Sequence, residues 1–375
     1  MGKRVSLMTF HASHNFGSVM QAYALKAAVE GMGNECTILN FRPASQLDKY
    51  SALPKTYGAK YLAKSAAQML AHPRRRLRSI AQYEAFIARY LADGPIVTTM
   101  SGLAQPDADV LLTGSDQVWG YHIPEFARSA EDIRPAYYFS FAEGRKLSYA
   151  SSTGTATGIQ LAAYADLMAA YDRISVRERG AVGLVSRLSG RPVECVLDPT
   201  FLLNEEDWRK LMSDSGSADR VPSGRYCLVY SLQGLRARGN WLKLARAVQD
   251  ELDMPLVSAS HFVPLRGAGI RPTFDIGPAD VLALFANASY VFTDTFHGTL
   301  FSTHFGKQFV VYTPGRDDPR IRDITVRLGL GDRVAHTVEE AASAVAKRID
   351  YGAVGGLRSA ELEMSMQYLS GAIDG

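Results

Sequence analysis

Short apolar runs recur along the chain, and each breaks into small or polar residues at its carboxyl end. "RVSLMTF" (Arg4 to Phe10) leads into "HASHNFGS", and "ADVLLTGS" (Ala108 to Ser115) ends in Gly-Ser. "KLSYASS", "RISVRER" and "VECVLDP" repeat the form. Apolar runs of this length, without strict alternation, read as strands buried on both faces of a parallel sheet. Helical periodicity fills the gaps. Ala22, Leu25, Val29 and Met32 recur near a 3.6-residue period, Gly31 and Gly33 end the segment, and "ECTILNF" resumes as a strand. Strand, helix and strand in that order open an α/β sheet.

The pattern occurs twice. After a stretch rich in Ser, Asp and Gly (204–224), a second series begins with "YCLVYSL", "PLVSAS", "YVFTDT" and "QFVVYT". A chain of 375 residues exceeds one compact core. The expectation is an α/β protein of two Rossmann-like, doubly wound domains facing each other across a cleft. Residues 1–203 form the first domain, with an inserted, basic helical arm over about 47–91. Residues 204–224 are expected as a linker and 225–358 as the second domain. A last helix over 359–375 is expected to cross back to the first.

Composition excludes several classes. A net charge of +3 gives no general reason to bind nucleic acid, and 47% hydrophobic with 21% charged residues argues against disorder. The exception is "HPRRRLR" in the arm, which reads either as a solvated helix face or as a patch for anionic acceptors or lipid. Cys36, Cys195 and Cys227 are scattered among apolar residues and read as core thiols of a reducing compartment. "MGKRVSLMTF" has no signal-peptide core, and its M-G-x-x-x-S myristoylation pattern runs straight into a strand. A cytoplasmic enzyme is the expectation, with a peripheral role at the inner membrane face open through the arm.

In open α/β sheets ligands bind outside the carboxyl ends of the strands. That rule singles out His11, His14, Asn15, Gly17, Gly114 to Gln117, Ser175 to Glu178, Asp198, Ser231 to Arg238, His261 and Asp294 to Gly298. "HASHNFGS" lacks a dinucleotide fingerprint. Asn15, Gly17 and the following helix N-terminus suit an anionic or polyhydroxyl ligand, or simply a capped turn. His11 and His14 find no further ligands to complete a metal site, so no metal is expected. Asp116 and Gln117 could bond sugar hydroxyls with Trp119 under a ring, or cap a helix over a core indole. Arg177 needs an anion: Glu178, Asp198 or a ligand. Arg236 and Arg238 follow a strand and suit a phosphate or carboxylate. His297, in "VFTDTFHG", can move a proton near neutral pH beside a glycine that would let a ligand approach.

Taken in order, "HASHNFGSVMQAYAL", "TGSDQVW", "SVRERG", "DPTFLL" and "FTDTFHGTLFSTHFGKQFVV" resemble the polysaccharide pyruvyl transferase family, over about Val5 to Tyr312. The resemblance implies a GT-B-like fold. It also implies transfer of the pyruvyl group of phosphoenolpyruvate to a saccharide, usually as a cyclic ketal and often on a lipid-linked repeat unit. No cofactor is implied. The family's motif histidine matches His297, the expected catalyst. Many members carry arginine two residues earlier, whereas this chain has Thr295 and resembles a Thr-Asp-Ser-Phe-His-Gly branch. The expected phosphoenolpyruvate ligands are Arg177, Arg236, Arg238, Thr295 and Gly298, with the second domain as donor side. The expected acceptor ligands are His14, Asn15, Gly17, Ser115, Asp116 and Gln117, on the first. A nucleotide-sugar glycosyltransferase and a non-catalytic glycan- or nucleotide-binding protein are the competing expectations.

Overall fold

The structure is a computed structural model that describes residues 2–92, 94–216, 221–232, 238–259, 267–273 and 276–375. The chain divides into two compact units, Met1–Leu203 with Glu361–Gly375, and Asn204–Ala360.

In the first unit, β1 (Arg4–Met8), β2 (Glu35–Ile38), β3 (Val110–Thr113) and β4 (Lys146–Ser148) lie in the order β2-β1-β3-β4. All are parallel. β5 (Ile174–Val176) pairs parallel with β6 (Val193–Cys195), and bridges from Leu147 to Arg173 and from Ser151 to Val176 tie this pair to the β4 edge. β2 lies on one side of β1 and β3 on the other, so the winding reverses between β1 and β3. The core beneath is aromatic, with Trp119 stacked on Tyr138 at 5.4 Å and Tyr138 on Tyr164 at 5.4 Å. Each such buried ring contributes on the order of 2 kcal/mol.

The arm consists of three helices, Ala44–Tyr50, Ala59–Ala71 and Pro73–Tyr90. The last starts with proline, whose missing N–H is not needed at a helix start. It buries Ser79, Tyr83, Phe86 and Ile87, one face at helical spacing. Its arginines divide: Arg74 and Arg78 are exposed, while Arg76 donates to the carbonyls of Ala52 and Ser51, both at 2.9 Å. Leu70 is 87% and Leu77 49% exposed. Among the described residues no helix is long and apolar enough to cross a membrane.

The second unit has β7 (Cys227–Tyr230), β8 (Leu256–Ala259), β9 (Ile270–Thr273), β10 (Tyr290–Thr293), β11 (Gln308–Tyr312) and β12 (Val334–Ala335). Their order is β12-β11-β10-β7-β8-β9, all parallel, which is the Rossmann order. β10 is buried along its whole length, as its apolar run requires.

Two expectations are corrected. The stretch 204–224 does not begin as a linker: Glu205–Ser215 is a helix that buries Trp208 fully against Phe301, ring centroids 5.3 Å apart. Asn204 caps it and Asp207 reciprocates, a helix-start signal inside a stretch that composition alone marked as a boundary. The last helix starts at Tyr351, not near 359, and runs to Asp374. Its later part is held in the first unit, where Tyr368 donates to the Ser148 carbonyl at 2.9 Å and Arg179 pairs with Glu361 at 2.8 Å.

Candidate functional site

In the second unit the winding reverses between β7 and β10, whose residues pair from Cys227 with Tyr290 to Tyr230 with Thr293. The residues that leave these two carboxyl ends, Ser231 and Asp294, therefore emerge side by side. Such a reversal leaves an open crevice. Asp294 is only 2% exposed. Ser231 donates its hydroxyl to one carboxylate oxygen at 2.7 Å, and the Leu232 N–H approaches the other at 3.4 Å. Burial raises the Asp294 carboxyl to about 6, against the opposing pull of the Ser231 bond and the Arg316 charge. A carboxyl so placed exchanges its proton near neutral pH.

Thr295 caps the helix Phe296–His304 by accepting from the Gly298 N–H at 2.9 Å. His297, half-buried, sits in the first turn of that helix, its ring meeting the edge of Phe296 at 5.2 Å. The structure explains Gly298 differently from the sequence. A Cβ there would stand 2.1 Å from the Thr293 hydroxyl and 2.8 Å from the Thr293 Cβ. The close approach that demands glycine is to the end of β10, not to a ligand, and its N–H is taken by Thr295. Both expected donor ligands at this turn thus serve to hold the turn that presents His297.

The neighbouring strand supplies cations that the sequence reading passed over. Arg316 leaves the end of β11, with 39% of its side chain exposed and 3.6 Å from Asp318. Arg320 grips Asp318 through two bonds, at 3.0 and 2.7 Å, and lies 5.9 Å from the Phe296 ring centroid. The signal was present: "YTPGRDDPR" follows an apolar strand as "TDTFHG" does. Arg238 opens the helix Arg238–Leu252 and is exposed. Arg236 and His261 lie outside the described residues.

In the first unit, the expected acceptor ligands are largely engaged with one another and with the protein. Asn15 caps the helix Phe16–Gly31 by accepting from Gly17 at 3.0 Å. Asp116, in the left-handed region at φ 72°, accepts from Ser18 at 2.6 Å and from the Gln117 N–H at 2.8 Å. Ser115 is fully buried, with its hydroxyl 3.4 Å from Asp198. Trp119 is core, not a platform for a sugar. Arg177 is 2% exposed and pairs with Glu178 and Asp198, both at 2.9 Å. Its charge is met by the protein, and those carboxylates keep it protonated against its burial. Of the partners weighed for Arg177, Glu178 and Asp198 are the ones it meets in this structure.

His11 and His14 part company. His11 faces Asn40 at 3.1 Å, and burial lowers its imidazole to about 4, so it is neutral. His14 reaches Glu84 at 2.7 Å and is stacked between Tyr50 and Tyr83, at 4.7 and 5.2 Å. Arg42 binds the other Glu84 oxygen at 2.7 Å. Burial works against the Glu84 charge, but these bonds prevail and hold the carboxyl at about 2.

The model of the family described as polysaccharide pyruvyl transferase matches residues 15–316. Among curated proteins nothing matches the chain. Among solved structures, the chain is similar to the UDP-GlcNAc 2-epimerase from Neisseria meningitidis bound to UDP-GlcNAc. The TM-score is 0.53 at 9% identity, covering 98% of each chain. It is also similar to the UDP-N-acetylglucosamine 2-epimerase from Rickettsia bellii. There the TM-score is 0.50 at 10% identity, covering 99% of this chain and 98% of that one. At such identities the likeness is one of fold, and it agrees with the two Rossmann-like units expected from the sequence.

Proposed function

Because the chain belongs to the polysaccharide pyruvyl transferase family, we propose that it moves the pyruvyl group of phosphoenolpyruvate onto a saccharide and releases phosphate. His297 gives a proton to the methylene carbon of the donor, which becomes a methyl group while C2 takes on oxocarbenium character. A sugar hydroxyl adds to C2 and gives up its proton. The bond from C2 to the phosphate oxygen then breaks, and a second hydroxyl closes the ketal with loss of its own proton. The protons given up by the two hydroxyls balance those taken by the methylene carbon and the departing phosphate. No metal or organic cofactor enters this scheme.

The observation that carries the reading is the polar edge beyond β10, where His297, the buried Asp294 and the cations of the β11 loop follow adjacent strands. Arg316, with Arg320 behind it, is the proposed partner of the donor's anionic groups in place of the arginine that Thr295 replaces. Arg236 and Arg238 are proposed as further contacts. The arm, with exposed Leu70 and Leu77 beside Arg74 and Arg78, is proposed to meet an anionic lipid surface and so approach a lipid-linked acceptor.

A second reading, nucleotide-sugar transfer, is favoured by the Rossmann strand order and by a fold similar to a protein that binds UDP-GlcNAc. The two part in one experiment. The proposed reaction releases phosphate from phosphoenolpyruvate in the presence of oligosaccharide and loses that release in His297→Gln. Release of UDP from a sugar nucleotide, with phosphoenolpyruvate untouched, would establish the second reading instead. Thermal stabilisation by phosphoenolpyruvate without turnover would identify a binding protein.

A further inference from the structure

A pocket opens in the first unit, at the base of the arm. It is framed by Arg42, which follows β2, by Gln46, Leu47 and Tyr50 of the first arm helix, and by Ile80 and Glu84 of the third. Its volume is about 140 Å³. That is small against the roughly 300–1,000 Å³ of pockets that take drug-sized molecules, and it suits a single ring.

The polar groups in it are built, not incidental. Gln46 is 4% exposed, and its amide nitrogen donates to the Ser13 hydroxyl at 3.2 Å. Its amide oxygen has no partner among the described residues. A buried acceptor left so has lost its water without gaining a partner, which a ligand hydroxyl would supply. Each oxygen of Glu84 already takes one bond, from His14 or from Arg42, and a carboxylate oxygen can accept a second. Arg42 pairs with Glu84 at 2.7 Å, so these two charges offset each other, and the nearby Arg76 is engaged with the carbonyls of Ser51 and Ala52. Leu47, 37% exposed, and Ile80 supply an apolar wall. The Tyr50 ring is fixed by stacking on His14 and by its hydroxyl bond to Glu125 at 2.9 Å.

We propose that this pocket binds one uncharged sugar ring, its hydroxyls donating to Gln46 and Glu84 and its C–H face lying against Leu47, Ile80 and Tyr50. Binding stands on the pocket alone. Its role as the subsite for a sugar of the acceptor rests on the pyruvyl-transfer reading. None of the acceptor ligands expected from the sequence lines the pocket directly, although His14 supports both Glu84 and Tyr50.

The test is saturation-transfer NMR on the full chain with the methyl glycosides of glucose, galactose and mannose, and with glycerol 3-phosphate as an anionic control. At least one hexoside should be saturated at its ring protons, and the control should not. Gln46→Leu keeps the side-chain size and should weaken that binding about five- to tenfold, the loss of one hydrogen bond. Leu47→Trp alters an exposed position, leaves the core intact and should abolish binding by filling the pocket. The proposal is overturned if no hexoside binds, if glycerol 3-phosphate binds better, or if both variants bind as the parent does. Hexoside binding without phosphate release from phosphoenolpyruvate would keep the pocket and sink the pyruvyl-transfer reading. Phosphate release with an unaltered acceptor KM in both variants would keep the pyruvyl-transfer reading and overturn the pocket's role as the acceptor subsite.

Discussion

Asp294→Asn is the most informative single change at the β10 edge. Asparagine retains an oxygen to accept from Ser231 and removes the buried charge. Raising a carboxyl from 3.8 to about 6 corresponds to about 3 kcal/mol between its two protonation states. Below about pH 4 the carboxyl is protonated in both the folded and the unfolded chain, and the charge contributes nothing. Between about 4 and 6 only the unfolded chain gives up its proton, so the folded state loses ground as pH rises. Above about 6 the folded chain bears the whole penalty. The variant should therefore be more stable than the parent by on the order of 3 kcal/mol at pH 8, with the gap closing toward pH 4. For a unit of this size that is a midpoint shift of about 6–12 °C. Thermal melts of both proteins from pH 4 to pH 8 read the difference directly. If transfer needs the negative carboxylate, the stabilised variant also loses turnover, as expected where function keeps a destabilising group. A pH-independent difference, or a variant less stable at pH 8 than its parent, would refute the reasoning that Asp294 is held as a strained, proton-exchanging carboxyl.

Two further outcomes are expected. Arg316→Ala should raise the KM for phosphoenolpyruvate at least tenfold, roughly the worth of one charge-assisted contact, while Arg238→Ala has a smaller effect; steady-state phosphate release measures both. The chain should co-sediment with vesicles containing phosphatidylserine and not with neutral ones, and the double change Leu70→Asp with Arg74→Glu should abolish that while leaving phosphate release from phosphoenolpyruvate with a soluble acceptor intact.

Much of the architecture could be read from the residues because parallel strands buried on both faces leave little choice of side chain. "ADVLLTGS" and "YVFTDT" are legible for that reason, and so is the polarity at their carboxyl ends. The linker was misread because Ser, Asp and Gly enrichment outweighed the cap formed by Asn204 and Asp207. The roles of the polar residues were far less legible. Arg177, Asp116 and Asn15 each stood between a ligand and an internal partner, and local spacing holds no information on distant partners such as Asp198 or Ser18. Gly298 had a reason other than the one expected, since its contact with Thr293 depends on how a strand end turns. Arg316 was within reach, given that the strand-end rule applies to β11 as well as to β10. Gln46 was not, because nothing in a helical segment marks one amide as unpartnered.

The proposed transfer depends on His297 and on phosphoenolpyruvate as the donor. Single-turnover mixing of the chain with phosphoenolpyruvate and an oligosaccharide acceptor, followed by mass analysis of the glycan, measures this directly. The expected result is a glycan carrying a pyruvate ketal, one phosphate released for each ketal, and a rate about 10²–10⁴-fold lower in His297→Gln. An unmodified glycan, or a ketal formed equally fast by His297→Gln, would contradict it.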